Sequence, residues 1–457
     1  MTALRDHGEP RETWDYVILG GGWAGLLAAK EITTRTPAAS VLILEADTRE
    51  ESGGLLRTEE IDGFTFDCGG PHILFSRNRE VLQEIGNILG ENKVVLPRKN
   101  FVYFEDQFIP YPFENGIYKL PTEARIRIGT GLLESTVERS KTPNWTPHSF
   151  YDWIYGVFGK AMGSEYLEPY NSKIWKRDLR SLSADWVFTP GRVPSPELAE
   201  IAKAIAGIES VGYKEQATFI YPRHGGVKSL FDALLQIVEK RGAKVRFGER
   251  VRTLHYIGSS WIVNGSIAGR TIISTIPLPL LVSLAGEHVG LSHLMSSFDY
   301  NKVLVVGVAM KTDGPDQTAV YVPRIDVPFH RYTWMSSLNP PTAAGSNLIA
   351  EVTIPKDAQC NVATLTRAVI EGLKKIGVLK GEDALLFTKS WLNEYGYPIY
   401  AHGLASARDA VLSALKQRRI YSVGRWGSWH YWNTDMVLMA VRSTVDEATS
   451  GAAGKDA

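Results

Sequence analysis

The sequence has little cysteine and no excess of either charge. Cys68 and Cys360 are its two cysteines, which excludes a disulfide framework and suits the reducing cytoplasm. Lysine and arginine together number 50, as do aspartate and glutamate, so the formal net charge is +0. Nothing in this balance favours nucleic acid or an anionic membrane as a partner. The composition therefore predicts a globular protein of the cytoplasm.

Long apolar runs and metal-binding patterns are also lacking. Charge or glycine interrupts each apolar run well before the ~18 residues that a membrane-spanning helix needs. Residues 1–16 contain no apolar run suited to a signal peptide. The 10 histidines include no i, i+4 pair with a carboxylate helper, so no metal site is predicted. Gly-x-Ser-x-Gly and Cys/His nucleophile patterns are missing too.

A strand and a glycine-rich turn lie near the N-terminus. Residues 16–19 are apolar and run into Gly-Gly-Gly-Trp-Ala-Gly, which is followed by a helical pattern and a second apolar strand at residues 41–44. An acid ends that strand, 20 residues after the last glycine, where dinucleotide-binding folds hold a ribose hydroxyl. The expected cofactor-binding residues of this unit are Gly20, Gly22, Gly25 and Glu45.

Later glycines indicate FAD rather than NAD. A second glycine pair follows the first unit, a position that wraps the cofactor further in many FAD proteins. Another strand leads into Gly225-Gly226, and the buried strand at residues 420–424 ends in Gly-Arg. We expect these distant segments to form one discontinuous FAD domain. Its further cofactor contacts are expected at Gly53, Gly54, Arg57, Val251, Gly424 and Arg425.

The fold class expected is α/β, with a discontinuous Rossmann-like FAD domain, an inserted helical domain and an antiparallel sheet domain. At ~150 residues per domain, 457 residues should form two or three domains. The predicted division assigns residues 12–100, 216–285 and 405–448 to FAD binding, 101–215 to a mainly helical substrate region, 286–404 to the antiparallel sheet and 449–457 to a flexible tail.

Seven short stretches, rich in glycine and aromatic residues, point to a family. They lie at residues 69–72 (Gly-Gly-Pro-His), 110–115 (Pro-Tyr-Pro-Phe-Glu-Asn), 170–175 (Tyr-Asn-Ser-Lys-Ile-Trp), 191–193 (Gly-Arg-Val), 329–331 (Phe-His-Arg), 395–398 (Tyr-Gly-Tyr-Pro) and 424–431, followed by Asn433 and Asp435. In this order they resemble the UDP-galactopyranose mutase family, and its eukaryotic type more than its bacterial type.

The resemblance implies an unusual use of FAD. The expected reaction converts UDP-galactopyranose, or a close analogue, to the furanose form without net redox change. Reduced FAD would attack the anomeric carbon through N5, displace the nucleoside diphosphate and form a flavin–sugar adduct. NADPH is a candidate reductant, although no separate nicotinamide motif is visible. The expected partner is a nucleotide-sugar, and the oligomeric state stays open.

The resemblance also assigns residues. Guanidinium groups suit a diphosphate leaving group because their contacts to phosphate are planar, charged and bidentate. The implied catalytic residues are Arg192 and Arg331 as diphosphate clamps, Tyr397 and Tyr431 as orienting hydroxyls, and His72 at the flavin edge. The implied substrate-binding residues are Tyr111, Phe113, Asn171 and Trp175 for the nucleobase, Tyr321 beside the diphosphate, and Asn433.

Two positions depart from the family pattern. Leu338 lies where eukaryotic members carry a further diphosphate tyrosine, and Glu114 lies where they carry glutamine. An ionised glutamate accepts hydrogen bonds but does not donate them. Either the base or its geometry therefore differs, or Glu114 faces a neighbouring cation, and the sugar stays open as well.

Two other functions compete with the mutase. A flavin oxidase of the amine oxidase or protoporphyrinogen oxidase type shares the N-terminal fold, but it needs an apolar tunnel and has no use for two diphosphate clamps. If both Arg192 and Arg331 point into the flavin cleft, that alternative is disfavoured. A flavin-stabilised binding protein without catalysis is the second alternative, which Leu338 and Glu114 favour.

Overall fold

The computed structural model describes residues 10–142, 144–188, 197–210, 217–288 and 290–453. Its strands are β1 (Glu12–Leu19), β2 (Val41–Leu44), β3 (Thr58–Ile61), β4 (Phe64–Asp67), β5 (Lys93–Pro97), β6 (Phe101–Phe104), β7 (Gln107–Pro110), β8 (Thr218–Pro222), β9 (Lys244–Arg246), β10 (Leu254–Ile257), β11 (Ser260–Val263), β12 (Ile267–Ser274), β13 (Tyr300–Met310), β14 (Ala319–Tyr321), β15 (Arg331–Trp334), β16 (Ser346–Pro355), β17 (Leu385–Pro398) and β18 (Ile420–Ser422). Its helices are α1 (Trp23–Arg35), α2 (Arg79–Leu89), α3 (Phe113–Gly116), α4 (Thr122–Ser140), α5 (Phe150–Met162), α6 (Glu168–Trp175), α7 (Leu198–Ile205), α8 (Lys228–Lys240), α9 (Leu278–Ala285), α10 (Val362–Lys375), α11 (Leu404–Gln417) and α12 (Thr434–Ala453).

The first large sheet assembles strands from three distant parts of the chain. β18, β12, β1, β2 and β9 run parallel in that order, and the antiparallel hairpin β10–β11 pairs with the other half of β12. Parallel strands are covered on both faces, which explains the continuous apolar runs of β1 and β2. The predicted α/β fold class, with its discontinuous FAD domain, is confirmed.

Three helices from separate segments pack together beside this sheet. α1 contacts both α8 and α12, and the indole Nε1 of Trp23 donates to the carbonyl of Thr434 at 3.1 Å. Further along α1, Lys30 Nζ donates to Glu84 of α2 at 2.9 Å, and Arg442 of α12 pairs with the same carboxylate. The contact between Trp23 and Thr434 brings the N-termini of α1 and α12 to one edge of the sheet.

The second large sheet is mostly antiparallel, in the order β17, β13, β16, β15, β14, β6 and β7. Residues 101–110, assigned from the sequence to the helical region, form β6 and β7 instead. Glu105 and Asp106 connect them with φ values of 47° and 57°, the left-handed conformation that matches the twist of a two-residue hairpin. In this sheet β13 lies between β17 and β16, and β15 pairs with the other edge of β16.

Helices α3–α7 form the helical region, and aromatic side chains fill its centre. A capping box of Ser149 and Asp152 begins α5. The ring of Phe150 lies 4.9 Å from that of Trp186, and Trp186 lies 5.0 Å from Trp175 at the end of α6. This packing fixes Trp175 at the border with the sheets. In the described part of the chain, no helix combines the length and the apolar character needed to cross a membrane.

Candidate active site

A cavity of about 270 Å³ lies at the carboxyl ends of β1, β2 and β12, the edge at which open parallel sheets bind ligands. Trp23 and Thr434 also line it, so the N-termini of α1 and α12 face the same space, and helix N-termini favour phosphate groups. The sequence-predicted residues that line this cavity are Gly20, Gly22, Glu45, Gly53, Gly54, His72, Val251, Gly424, Arg425 and Asn433.

The glycine turn after β1 has the shape that a bound pyrophosphate requires. Gly20 adopts φ +96°, which L side chains rarely adopt. A Cβ on Gly25 would lie 2.0 Å from the carbonyl oxygen of Gly20, so this glycine lets α1 approach β1 and does not itself line the cavity. A Cβ on Gly22 would meet nothing within 4 Å. The turn is therefore tight behind Gly20 and open at Gly22.

Glu45 forms the end wall of the cavity and also fixes the turn. Its Oε2 accepts from the backbone N–H of Gly21 at 2.7 Å, and its Oε1 accepts from that of Asp47 at 2.9 Å. A carboxylate has about four lone-pair sites, so the side chain retains acceptor capacity for a ribose hydroxyl. The predicted acid thus lies where a dinucleotide would need it.

Three nitrogen atoms of residues in the cavity wall lack a hydrogen-bond partner among the described residues. They are Nε2 of His72, Nε of Arg425 and Nε1 of Trp426, and all three are buried. Buried polar groups are normally paired, so these atoms are the expected contacts of a bound group. Burial, with the charge of Arg425 nearby, lowers the pKa of His72 to about 3, so its imidazole is neutral. Together with the open cradle at Gly22, the wall fits a flavin dinucleotide.

A smaller cavity of about 90 Å³ continues from the first one and shares Leu55, His72, Arg425 and Asn433 with it. It is hereafter called the cleft. Three of the sequence-predicted catalytic residues that line it come from different elements: Arg331 begins β15, Tyr397 lies near the end of β17, and Tyr431 precedes α12. His72 is the fourth. The structure therefore brings together four of the five residues predicted to be catalytic.

Glu351 is a cleft residue that the sequence analysis missed. It lies on β16 directly opposite Arg331, is 3% exposed, and its Oε2 accepts from Nε of Arg331 at 2.5 Å. Burial lowers the pKa of Arg331, but the Glu351 carboxylate outweighs it and raises that pKa well above its ordinary value. A lone acid within the otherwise uncharged strand β16 was the signal that could have revealed it.

Arg425 fixes the two tyrosines of the cleft. Its guanidinium lies 4.4 Å from the ring centroid of Tyr431 and 5.7 Å from that of Tyr397, and Nη2 donates to the carbonyl of Gly396 at 2.8 Å. Burial and the nearby Glu351 carboxylate raise the pKa of Tyr397 well above its ordinary value. Tyr397 is therefore a protonated phenol beside two guanidinium groups, an arrangement that suits a polyanionic ligand.

A line of tyrosines extends from the cleft toward the helical region. The ring of Tyr170 lies 5.7 Å from that of Tyr321, which in turn lies 4.9 Å from that of Tyr111. Tyr170 also lies 6.3 Å from the ring of His330, beside Arg331. Two of the predicted substrate-binding residues, Tyr111 and Tyr321, are thus in contact with each other. Neither lines the cleft itself.

The other predicted nucleobase residues are packed against protein. Phe113 is 1% exposed, with ring centroids 4.6 Å from Tyr166 and 4.9 Å from Phe104. The Asn171 oxygen accepts from Nε1 of Trp175 at 3.2 Å, and Trp175 lies about as far from Tyr397 as from Tyr431, at 6.3 Å and 6.2 Å. Of this group, Trp175 comes nearest to the cleft tyrosines, and Phe113 belongs to the hydrophobic core.

Four further positions that the sequence pointed to are Arg57, Leu338, Glu114 and Arg192. Arg57 lies outside the cofactor cavity's lining, where it donates to Asn393 Oδ1 and to the carbonyl of Gly54, both at 2.9 Å. Leu338 is 2% exposed and packs in the core. Glu114 is 7% exposed and raises the pKa of both Tyr111 and Tyr166, after the larger effect of burial. Arg192, the second predicted clamp, lies outside the described residues.

Comparison with known proteins shows a match to one family and similarity to two kinds of enzyme. Residues 23–449 match the family of flavin containing amine oxidoreductases. Protoporphyrinogen oxidase of Homo sapiens is 25% identical over 325 residues, which cover 64% of this chain and 66% of the human enzyme. The chloroplastic protoporphyrinogen oxidase 1 of Arabidopsis thaliana is 25% identical over 186 residues, 38% of this chain and 33% of that enzyme.

Two solved structures cover nearly the whole chain. Reduced UDP-galactopyranose mutase superposes with a TM-score of 0.86 at 25% identity and covers 97% of this chain and 95% of its own. A putative protoporphyrinogen oxidase from Exiguobacterium sp. 255-15 superposes with a TM-score of 0.74 at 18% identity, covering 97% and 100%. The second likeness is one of fold alone.

Proposed function

The chain belongs to the family of flavin containing amine oxidoreductases, and we propose that within this family it is a mutase of a nucleotide-diphosphate sugar. The observation that carries the proposal is the cleft, where Arg331, Tyr397 and Tyr431 meet beside the cofactor cavity. Its wall is charged and rich in hydrogen-bond donors, which suits a diphosphate. The superposition on UDP-galactopyranose mutase at a TM-score of 0.86 gives further support.

The reaction divides into a part for the cofactor and a part for the protein. When bound and reduced, the flavin would supply the nucleophile that attacks the anomeric carbon of the sugar. The protein must then stabilise the negative charge that grows on the departing diphosphate. Arg331 uses Nε for Glu351, which leaves its two Nη groups as donors for phosphate oxygens.

The tyrosines orient the diphosphate. Tyr397 is buried and protonated, so its hydroxyl is available as a donor rather than as a phenolate. Tyr431 lies 5.3 Å from it, ring centroid to ring centroid, and Arg425 covers both rings. We assign Arg192 as the second diphosphate clamp, on the resemblance alone.

Incubation of the reduced protein with nucleotide-sugars tests the mutase. Protein reduced with dithionite under anaerobic conditions is mixed with UDP-galactopyranose and with a panel of other nucleotide-sugars, and the products are separated by chromatography. An isomer of unchanged oxidation state that forms with reduced protein, but not with oxidised protein, is the expected result. A parallel sample reduced with NADPH tests whether that cofactor serves as the reductant.

An oxidase is the second candidate, because two curated relatives are protoporphyrinogen oxidases. The charged side chains of Arg331 and Glu351 in the cleft disfavour the apolar tunnel that such an oxidase needs. Oxygen consumption with protoporphyrinogen or with amines, and no isomer from any nucleotide-sugar, would show that the protein is an oxidase and not a mutase. Tight binding of nucleoside diphosphate without turnover of either kind would instead indicate a binding protein.

A further inference from the structure

His330 lies directly behind the cleft wall, between two hydroxyl groups. It is 1% exposed, with ring Nε2 at 3.5 Å from the hydroxyl of Tyr397 and ring Nδ1 at 3.4 Å from Oγ1 of Thr353. Its backbone N–H donates to the carbonyl of Glu351 at 3.1 Å, and its carbonyl accepts from the N–H of Val322 at 2.8 Å. The imidazole is therefore held in place by the sheet and forms the link between the two hydroxyls.

The charge state of this imidazole is fixed by its surroundings. Burial, with the positive charges of Arg331 and then Lys173 nearby, lowers the pKa of His330 well below its ordinary value. A neutral imidazole has one N–H donor and one acceptor nitrogen, whereas a hydroxyl donates one proton and also accepts. The two hydrogen bonds that link Thr353, His330 and Tyr397 can consequently both point in either of two directions.

The two directions present different groups to the cleft. With the proton on Nε2, the ring donates to the Tyr397 oxygen, and the Tyr397 O–H points away from the ring. With the proton on Nδ1, Tyr397 donates to the ring and offers lone pairs to the cleft instead. The Glu351 carboxylate and a diphosphate both need donors, and charge-assisted hydrogen bonds are the stronger kind. The first direction is therefore the favoured one.

We propose that His330 is a positioning residue that carries its proton on Nε2 and holds the Tyr397 hydroxyl as a donor facing the cleft, with Thr353 donating to Nδ1. The inference rests on the proposed function, because a nucleoside diphosphate is the anion that Tyr397 would serve. His330 itself does not line the cleft. Its effect on the ligand passes through the Tyr397 hydroxyl.

The tautomer can be read without any substrate. Protein labelled with ¹⁵N-histidine contains 10 histidines, and the spectrum of His330→Gln identifies the resonances of His330 by their loss. A protonated Nε2 and an unprotonated Nδ1 are expected. A protonated Nδ1 overturns the proposal, whatever reaction the protein catalyses.

A double-mutant cycle tests whether His330 acts through Tyr397. Equilibrium dialysis measures the Kd of UDP for the flavin-loaded protein. We expect Tyr397→Phe and His330→Leu each to weaken binding about 10- to 100-fold, the range for one hydrogen bond to a charged group. The double variant should bind no more weakly than Tyr397→Phe alone, because His330 acts only through the hydroxyl that this change removes. If the fold loss of UDP affinity in the double variant equals the product of the two single losses, the proposal is overturned.

Conservative variants separate positioning from simple damage. In His330→Gln an amide nitrogen replaces the Nε2 donor, so most of the affinity should return. Thr353→Val should weaken binding. The matched control is Thr366→Val, which removes a hydroxyl of α10 that pairs with Ser390 on β17. If His330→Leu fails to hold flavin, the ¹⁵N spectrum of the wild-type protein and the UDP affinity of Thr353→Val still test the proposal. If the wild-type protein binds no nucleoside diphosphate, the proposed function fails, and the spectrum alone judges the tautomer.

Discussion

Arg331 and Glu351 face each other across β15 and β16, and their side chains meet at 2.5 Å on the wall of the cleft. The pair has an unequal environment, since the carboxylate is 4% exposed and the guanidinium 23%. The more open end is therefore the positive one. An anion entering the cleft would meet Arg331 while Glu351 holds the guanidinium from behind.

Replacement of Arg331 by alanine should lower turnover by about 100- to 1,000-fold but leave the flavin bound. The variant loses a charge-assisted donor to the leaving diphosphate, and removal of one such group typically costs about 100- to 1,000-fold in rate. Arg331 does not line the cofactor cavity, so flavin absorbance per protein should not change. The control is Arg324→Ala, which removes an arginine that pairs with Asp326 on the connection between β14 and β15. Wild-type turnover in Arg331→Ala would refute the clamp.

Replacement of Glu351 by glutamine should destabilise the empty protein and increase its response to ligand. The change leaves a partly buried guanidinium without its carboxylate, which we expect to cost about 1–3 kcal/mol, less than for a fully buried pair because Arg331 is open to the cleft. A bound nucleoside diphosphate would restore the missing negative charge. Thermal unfolding should therefore show a lower midpoint without UDP and a larger upward shift with UDP than in wild type. An equal or smaller shift would contradict this account.

The FAD domain could be read from the sequence because its signals are local. The apolar strand, glycine turn and terminal acid lie within residues 16–45, and strands buried on both faces appear as continuous apolar runs. The hairpin of β6 and β7 was missed because its turn uses Glu105 and Asp106 at positive φ, without the glycine that usually marks such turns.

The cleft could be predicted in part, for a related reason. The sequence predicted Arg331, Tyr397 and Tyr431 because each lies in a short motif whose residues are continuous in sequence. Glu351 was not found, because its partner is set by the register of two strands, and register is not a local property. Phe113 was placed with the nucleobase, but its ring belongs to the core, since a buried aromatic and a stacking aromatic look alike in sequence.

Alanine substitutions at two glycines of the turn should have different effects. Gly22 adopts φ −72°, and a Cβ there meets nothing within 4 Å, so Gly22→Ala should fold normally. Its methyl group would occupy space in the cofactor cavity and weaken flavin binding by about 1–3 kcal/mol. Gly25→Ala should instead lower the thermal midpoint of the protein, because its Cβ would lie 2.0 Å from the Gly20 carbonyl oxygen. Flavin content and the midpoint of the flavin-free protein distinguish the two effects.

Asp67 should give the protein a specific dependence on pH. Its carboxylate is 0% exposed and accepts from the Tyr221 hydroxyl at 2.5 Å, the Thr58 hydroxyl at 2.8 Å and the Val227 N–H at 3.2 Å. Complete burial raises the pKa of Asp67 from 3.8 to about 6, and these hydrogen bonds offset only part of that effect. The carboxyl group links β4, β8 and the start of α8, so its protonation state affects the frame of the FAD domain.

The sign of the effect follows from the raised pKa. Between pH ~4 and ~6 the folded protein holds a proton on Asp67 that the unfolded chain has released, so the free energy of unfolding falls as the pH rises through this window. The full difference is about 3 kcal/mol and stays constant above it. Asp67→Asn lacks this titration, and any fixed cost of the amide is independent of pH. Denaturation of both proteins between pH 4 and 8 should therefore show the wild type losing stability relative to Asp67→Asn as the pH rises. A relative gain over the same range would mean that the three hydrogen bonds outweigh burial and that the carboxylate is the form the fold prefers.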